Sequence, residues 1–311
     1  MKTRSFSLAL FVVGLGSVSV ACAVDADRHA LIDEQEEATD DPLRRCNPKK
    51  TNCDAGTDAG SGTDSGSGTD AGSGTDAGSG TDAGGPTPPP PSGNVCTNPF
   101  FTTSNSNGGI TIGGYYVHNN LWNAASYPGT TGTTEVCSYN SFNHVGTASN
   151  TSRDGAVKTY PNVHKDYAGR TFSSFTKLTS TFAATSPGVG IYNVAYDLWL
   201  NGIPNDEVMI WTDNYNQVPA GSRFASGVSL SGRTWDVYAT SGNGYIAFVP
   251  SNGARLVSGT LDLKAMLNYL VAQGRVAANA TVDQICYGVE IVDTGGKPAK
   301  WNFTDFSITD Q

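Results

Sequence analysis

Residues 191–200 read IYNVAYDLWL, and after a short polar segment residues 207–212 read EVMIWT. Short runs rich in β-branched and aromatic side chains, bounded by Gly, Asn and Ser, are typical of β-strands. Between Cys96 and the C-terminus such runs recur throughout, with further examples at 110–117, 234–239, 244–249 and 300–309. The pattern predicts an all-β domain, either a sandwich or a barrel.

One segment of this domain does not follow the strand pattern. Within residues 261–272 the apolar side chains recur at helical spacing, at Leu263, Met266, Leu267, Leu270 and Val271. Thr260 is the predicted N-cap, Asp262 falls in the predicted first turn, and Gly274 is the predicted stop. We therefore expect a single α-helix against a large antiparallel sandwich.

The start of the chain has the composition of an export signal. Residues 1–21 combine basic side chains with a following apolar run, which predicts a secretory signal peptide. Residues 22–53 form a polar, acidic leader. Cys22 lies within an A-x-A-like cleavage site, and it also fits the lipidated first residue of a lipoprotein. We expect a secreted protein, with a lipid anchor at Cys22 as the alternative.

Residues 54–95 are a low-complexity segment. The unit Thr-Asp-Ala-Gly-Ser-Gly recurs there and gives way to a run of prolines. Because such a segment has almost no apolar surface to bury, it cannot offset the entropy lost on ordering. We expect a disordered linker that holds residues 96–311 away from a surface. The alternative is an inert tail.

Charge is unevenly distributed along the chain. The formal net charge is −9, yet residues 96–311 carry 12 basic and 14 acidic side chains, so the acidity belongs mainly to the preceding segments. A nearly neutral domain does not offer the basic surface that nucleic acids require. A single long apolar run also excludes a polytopic membrane protein. We expect no nucleic-acid partner and a monomer.

The cysteines suggest one disulfide in the folded domain. Cys96 and Cys137 are expected to pair, since exported domains form disulfides. Cys46 and Cys53 could close a small loop in the leader. Cys286 lies within a strand pattern and is expected to be a buried thiol outside any disulfide.

Four histidines complete the set of potential metal ligands: His29, His118, His144 and His164. They do not have the spacing of metal ligands. The last three are expected on the surface or in loops. The sequence predicts neither a metal nor a cofactor.

The run EVMIW at 207–211 places an acid on an unusual face. Successive side chains of a strand point to opposite sides, so Val208 and Ile210 would face the core. Glu207, Met209 and Trp211 would then share the other face. An acid, a flat apolar side chain and an indole suit a groove for sugar rings, whose faces are apolar and whose rims carry hydroxyls. The alternative is an edge strand with a solvated Glu207.

Two more carboxyls interrupt strong strand patterns. Glu290 lies within YGVEIV at 287–292, and Asp197 lies within YDLW at 196–199. Burial disfavours the charged form, so it raises the pKa of a carboxyl and keeps it protonated near neutral pH. Two carboxyls across one groove are the minimum for glycoside hydrolysis.

Several stretches of the domain follow one another in the order of a known family. They are NNLW at 119–122, VKTYPN at 157–162, NVAYDL at 193–198, EVMIW at 207–211, PAG at 219–221, NYL at 268–270 and GVE at 288–290. The domain resembles glycoside hydrolase family 12 over nearly all of 96–311. This resemblance implies a β-jelly-roll sandwich of two antiparallel sheets with an open substrate cleft. It also implies endo-acting hydrolysis of β-1,4-glucosidic bonds in β-glucan, cellulose or xyloglucan.

The resemblance assigns roles to individual residues. Glu207 is the expected nucleophile and Glu290 the expected general acid/base of a retaining mechanism that needs no cofactor. Asp197 would hydrogen-bond near the nucleophile, and Asn120 would orient these groups or bind the sugar. Contacts with the substrate are expected from Trp122, Met209, Trp211 and Pro219.

Three other functions fit parts of the sequence. A carbohydrate-binding lectin without catalysis would explain an aromatic groove, and a jelly-roll xylanase would share the chemistry. A structural surface lipoprotein would make the linker the main feature of the chain. Only the enzymes explain two acids on separate motif strands.

Overall fold

The computed structural model describes residues 94–311. Its first eight strands are β1 Phe101–Thr103, β2 Gly109–Ile112, β3 Tyr115–His118, β4 Thr131–Ser138, β5 Ser141–Thr147, β6 Asn162–Thr171, β7 Leu178–Thr185 and β8 Ile191–Leu200. They are followed by β9 Asp206–Tyr215, β10 Ser222–Leu230, β11 Arg233–Ala239, β12 Tyr245–Pro250, β13 Ser258–Asp262, helix α1 Leu263–Ala272, β14 Thr281–Asp293 and β15 Ala299–Asp310. The predicted signal peptide, leader and linker, including Cys22, Cys46 and Cys53, lie outside the described residues.

The strands form two sheets. The smaller sheet has the order β1-β4-β5-β15-β7-β13, and the larger has the order β10-β11-β12-β9-β8-β14-β6-β3-β2. Within residues 94–311 the predicted all-β sandwich with one α-helix is confirmed. The expectation of wholly antiparallel sheets is wrong for one pair, since β9 and β12 run parallel. The chain crosses from β9 to the edge strand β10 and returns through β11, so β12 arrives in the direction of β9.

The core lies between the two sheets and is rich in aromatic side chains. Val208 and Ile210 belong to it, as the alternation of β9 predicts. On the neighbouring strands, Tyr287 stacks on Phe306 of the smaller sheet, with ring centroids 6.0 Å apart and planes 8° apart. Because one face of each central strand packs into this core, the alternate residues must point to the opposite side of the larger sheet.

Helix α1 begins two residues later than predicted. Asp262 is its N-cap, and the side-chain Oδ1 accepts a hydrogen bond from the backbone N–H of Ala265 at 2.9 Å. The expected cap, Thr260, is instead held in the sheet by the pairing of β13 with β7. Gly274 follows the helix with a positive φ of 66°, as the predicted stop requires. No helix in residues 94–311 is long and apolar enough to cross a membrane.

The cysteine predictions for the domain are confirmed. Cys96 and Cys137 form a disulfide that fastens the first described residues to β4. Cys286 is buried in β14, where its thiol donates a hydrogen bond to Gln284 Oε1 at 3.1 Å.

The expectation that three histidines lie on the surface or in loops is wrong. His118, His144 and His164 are buried in β3, β5 and β6. They find polar partners there; for example, His144 Nδ1 lies 3.0 Å from Thr134 Oγ1. Burial lowers the pKa of His118 and of His144 to about 3, so both rings stay neutral. His29 lies outside the described residues.

Candidate active site

The three acids singled out by the sequence come together on one face of the larger sheet. Strand β8 lies between β9 and β14, and its residue Trp199 pairs with Glu207 while its residue Asn193 pairs with Glu290. Asp197 lies on β8 between Asn193 and Trp199, an even number of positions from each. Its side chain therefore points to the same face of the sheet as theirs. This face points away from the core between the sheets.

All three carboxyls are buried. Asp197 is 1% exposed, and Glu207 and Glu290 are each 4% exposed. Acidic side chains are seldom buried to this extent in proteins, and perturbed acids cluster at functional sites. Residues 94–311 contain no group of three or more His, Cys, Asp or Glu side chains arranged to hold a metal ion.

Tyr245 lies beside Glu207 on the neighbouring strand and is influenced by all three acids. It begins β12 and pairs in register with Glu207 through the parallel β9–β12 ladder. Burial raises its pKa well above 10, and Glu290, Glu207 and Asp197 each raise it further. All three carboxyls therefore act electrostatically on this one phenol. The sequence predicts the strand at 244–249 but not this contact, because the parallel pairing that brings Tyr245 to Glu207 leaves no local sequence signal.

Glu290 receives two hydrogen bonds on the same oxygen. Asn193 Nδ2 donates to Glu290 Oε2 at 2.5 Å, and Gln217 Nε2 donates to it at 3.2 Å. Burial raises the pKa of Glu290 to about 7, against the lowering effect of these two bonds. Neither donor is among the residues that the sequence predicts for the site. The alternation of β8 places Asn193 on the same face as Asp197, so the sequence contains a signal for this donor. No sequence pattern indicates Gln217.

An apolar floor lies beside the acids. Met209 and Trp211 are fully buried and pack with Ala195, Tyr245 and Ala247 in a cluster separate from the main core. Trp211 Nε1 lies 3.4 Å from Met209 Sδ, so the indole is anchored by its neighbour on the strand. The predicted alternation of β9 is confirmed, since Met209 and Trp211 lie on the side of the strand opposite Val208 and Ile210. Both side chains are buried there.

Trp122 lies toward the Glu207 side of the face. It is half-buried and packs against a cluster that contains Tyr160, Trp199 and Cys286, and Trp199 is the residue that pairs with Glu207. Its indole Nε1 is buried without a hydrogen-bond partner among residues 94–311.

The turn before Trp122 is fixed by Asn120. This residue is buried and has a positive φ of 36°, and its backbone carbonyl accepts a hydrogen bond from Tyr160 N at 2.9 Å. The bond holds the turn against the segment that leads into β6, which keeps Trp122 beside Tyr160. A contact between the Asn120 side chain and the acids stays a prediction.

Pro219 lies on the Glu290 side, in the loop between β9 and β10. It is half-buried, and its neighbours in the loop reach the site from both directions. Gln217 donates to Glu290, and Ala220 packs against the cluster of Met209 and Trp211.

Comparison with known proteins agrees with this arrangement. The family model of glycosyl hydrolase family 12 matches residues 113–310. The chain belongs to this family. The resemblance stated from the sequence motifs is thereby confirmed, and family 12 membership makes the protein a glycoside hydrolase.

Two curated relatives belong with this assignment. Endoglucanase S of Pectobacterium parmentieri is 28% identical over 211 residues, which cover 59% of this chain and 78% of that protein. The xyloglucan-specific endo-beta-1,4-glucanase A of Emericella nidulans is 30% identical over 195 residues, which cover 58% of this chain and 80% of that protein.

A solved structure matches the fold of the whole domain. It is the xyloglucanase domain of NopAA, a type three effector from Sinorhizobium fredii in complex with cellobiose. It is 27% identical to this chain, with a TM-score of 0.60, and the match covers 69% of this chain and 100% of that chain.

Proposed function

We propose that this family 12 protein hydrolyses internal β-1,4-glucosidic bonds of glucan chains, with Glu207 as nucleophile and Glu290 as general acid/base. The observation that carries the proposal is that Glu207, Glu290 and Asp197 are all buried on one face of three adjacent strands, β9, β14 and β8. The substrate class is supported by the names of the relatives, an endoglucanase and a xyloglucan-specific endo-β-1,4-glucanase.

The first step breaks the glycosidic bond. The pKa of Glu290 is raised to about 7, so below neutral pH this group holds the proton that the leaving oxygen needs. As the bond between C1 and the leaving oxygen breaks, the Glu290 proton moves to that oxygen. A carboxylate oxygen of Glu207 forms a bond to C1 at the same time. The leaving chain departs as an alcohol, and a glycosyl-enzyme ester remains.

The second step releases the sugar. Glu290, now a carboxylate, accepts a proton from a water molecule, whose oxygen bonds to C1 while the ester bond to Glu207 breaks. Both acids return to their starting states, and the anomeric configuration is retained. Retention requires the two carboxyl groups to lie about 5–5.5 Å apart across the bound sugar.

The remaining residues are proposed to support this chemistry. Asp197 pairs with Met209, two positions from Glu207, so it is a diagonal neighbour of the nucleophile on the same face. We propose that it hydrogen-bonds near Glu207 and that Asn120 orients this group. Trp122 is proposed to stack on a sugar, and Met209, Trp211 and Pro219 to shape the floor and rim beneath the chain.

A panel of defined polysaccharides tests the activity. We expect release of reducing ends from barley β-glucan, carboxymethyl cellulose or xyloglucan, with the β-anomer appearing first in proton NMR spectra. Inverted products would exclude the retaining mechanism. Binding without release of reducing ends would indicate the lectin, and preference for xylan would indicate the xylanase.

A Glu207→Gln variant tests the assignment of the nucleophile. The amide has nearly the shape of the acid but cannot attack C1, so we expect loss of hydrolysis with an unchanged melting temperature. Hydrolysis of β-glucan at the parent rate by this variant would show that Glu207 is not the nucleophile.

We also propose that the enzyme acts outside the cell as a monomer, with residues 54–95 as the spacer of a secreted or lipid-anchored domain. The signal-like residues 1–21 and the Cys96–Cys137 disulfide support export. Mass spectrometry of the mature N-terminus distinguishes the two forms, since a lipid on Cys22 adds a mass that simple cleavage does not. Sedimentation of the purified chain tests the monomer.

A further inference from the structure

The carboxyl of Glu290 is held through one oxygen by two neutral amides. Oε2 accepts from Asn193 Nδ2 at 2.5 Å and from Gln217 Nε2 at 3.2 Å. We propose that Gln217 is a positioning residue on the leaving-group side of the site. Together with Asn193 it aims Oε1 of Glu290 at the leaving oxygen, and its own carbonyl oxygen accepts a hydroxyl of the leaving sugar. The proposal rests on the proposed role of Glu290 as acid/base.

The two bonds to Oε2 decide which oxygen carries the proton. A protonated carboxyl has one O–H donor, and the other oxygen keeps its acceptor capacity. Since Oε2 already accepts two N–H bonds, the proton of Glu290 belongs on Oε1. Proton transfer to the glycosidic oxygen, and later from water, therefore occurs at Oε1.

Each of the two amides also has a carbonyl oxygen that accepts no hydrogen bond from residues 94–311. Asn193 Oδ1 and Gln217 Oε1 are buried atoms without a hydrogen-bond partner among residues 94–311. A buried acceptor that lacks a donor is costly, and it is expected where a ligand supplies that donor. Asn193 is fully buried within β8, whereas Gln217 is half-buried on a loop. A sugar hydroxyl can therefore reach the oxygen of Gln217 more readily.

Gln217 is fixed in place by its own loop. Its backbone N–H donates to Asn214 Oδ1 at 3.0 Å, and Asn214 Nδ2 donates back to the carbonyl of Gln217 at 2.8 Å. The N–H of Asn214 in turn donates to Asp213 Oδ1 at 2.9 Å, and Arg255 bridges both oxygens of Asp213. The backbone of Gln217 is therefore held in place by several hydrogen bonds, which suits a side chain that orients the Glu290 carboxyl.

The charged surroundings of Glu290 are the acids already described. Glu290 raises the pKa of Tyr245 on β12, and Glu207 from β9 and Asp197 from β8 act on the same phenol. An N–H donor favours the carboxylate form of Glu290, so loss of Gln217 should favour the protonated form. The loss should also remove the hydroxyl contact, which only a substrate with a sugar on the leaving side can make.

The test compares Gln217→Ala with Val218→Ala, whose native side chain is 81% exposed beside it. Two substrates separate the effects: β-glucan, and a dinitrophenyl β-cellobioside, whose phenolate leaves without a proton and has no leaving sugar. We expect about a tenfold loss of kcat/KM for Gln217→Ala on β-glucan, from loss of a hydrogen bond to a charged group, and little change on the aryl glycoside. The alkaline limb of its pH profile should move to higher pH. Val218→Ala should behave as the parent.

Equal losses on both substrates, or an unmoved alkaline limb, would overturn the proposal and leave Gln217 with a merely structural role. The proposed function is checked separately with Glu290→Gln. If this variant hydrolysed β-glucan at the parent rate, the acid/base assignment itself would be wrong. If it were inactive on β-glucan while Gln217→Ala kept the parent profile, only the positioning role would be excluded.

Discussion

Raising the pH should switch off the general acid at a point set by the burial of Glu290. Its pKa is raised from 4.5 to about 7 by burial. Hydrolysis needs the protonated form, which is present below this pKa and is lost as the pH rises through it. At pH 6 about nine tenths of the molecules would carry the proton, whereas with the ordinary pKa only about 3% would. Burial is thus worth about a thirtyfold increase in active enzyme at that pH.

The assay is the pH dependence of kcat/KM on β-glucan at constant ionic strength, which reports the groups of the free enzyme. We expect kcat/KM to be level near pH 6 and to fall tenfold for each pH unit well above 7. The matched control is the parent enzyme on the dinitrophenyl glycoside: because its phenolate leaves without a proton, kcat/KM on that substrate should lack this alkaline limb. A parent profile that already declines near pH 5 would show that Glu290 titrates as an ordinary acid, and the reasoning from burial would be refuted.

Three further outcomes concern stability. Since the pKa of Glu290 is raised in the fold, its contribution to stability is present below the unfolded pKa and is lost as the pH rises through about 7; Glu290→Gln should therefore melt higher than the parent at pH 8 but not at pH 4. Cys137→Ser opens a cross-link to Cys96 that spans 41 residues and should lower the free energy of unfolding in urea by about 4 kcal/mol. Gly288→Ala would place a Cβ 2.3 Å from Pro161 O, so a loss of about 1–3 kcal/mol is expected in thermal melts.

Strand alternation accounts for most of what the sequence could predict. In β9 a single assumption, that Val208 and Ile210 face the core, places Glu207 on the opposite side, and the structure agrees. The same period carries over to Asp197 and Glu290, because a strand keeps its sidedness along its length. The helix was predicted for the same reason, since its apolar spacing is local.

Features that depend on which strands meet could not be predicted in this way. Tyr245 reaches Glu207 only because β12 returns parallel to β9 after a crossover. Gln217 lies on a loop, where no periodicity indicates direction. The sequence predicts His118 and His164 on the surface or in loops, yet their rings lie 5.9 Å apart on paired strands and each has an asparagine as a partner. The burial of these histidines follows from the pairing of β3 with β6, which the identity of the residues does not predict.

The choice of partner distinguishes the acid that acts from an acid that only holds the fold together. Asp213 of β9 forms an ion pair with the guanidinium of Arg255, and this contact raises the pKa of Arg255. A cation beside Glu290 would in the same way favour its carboxylate and remove the proton that catalysis needs. The amides of Asn193 and Gln217 orient Glu290 without adding charge. Burial can then keep the pKa of Glu290 near the pH at which one group must serve first as acid and then as base.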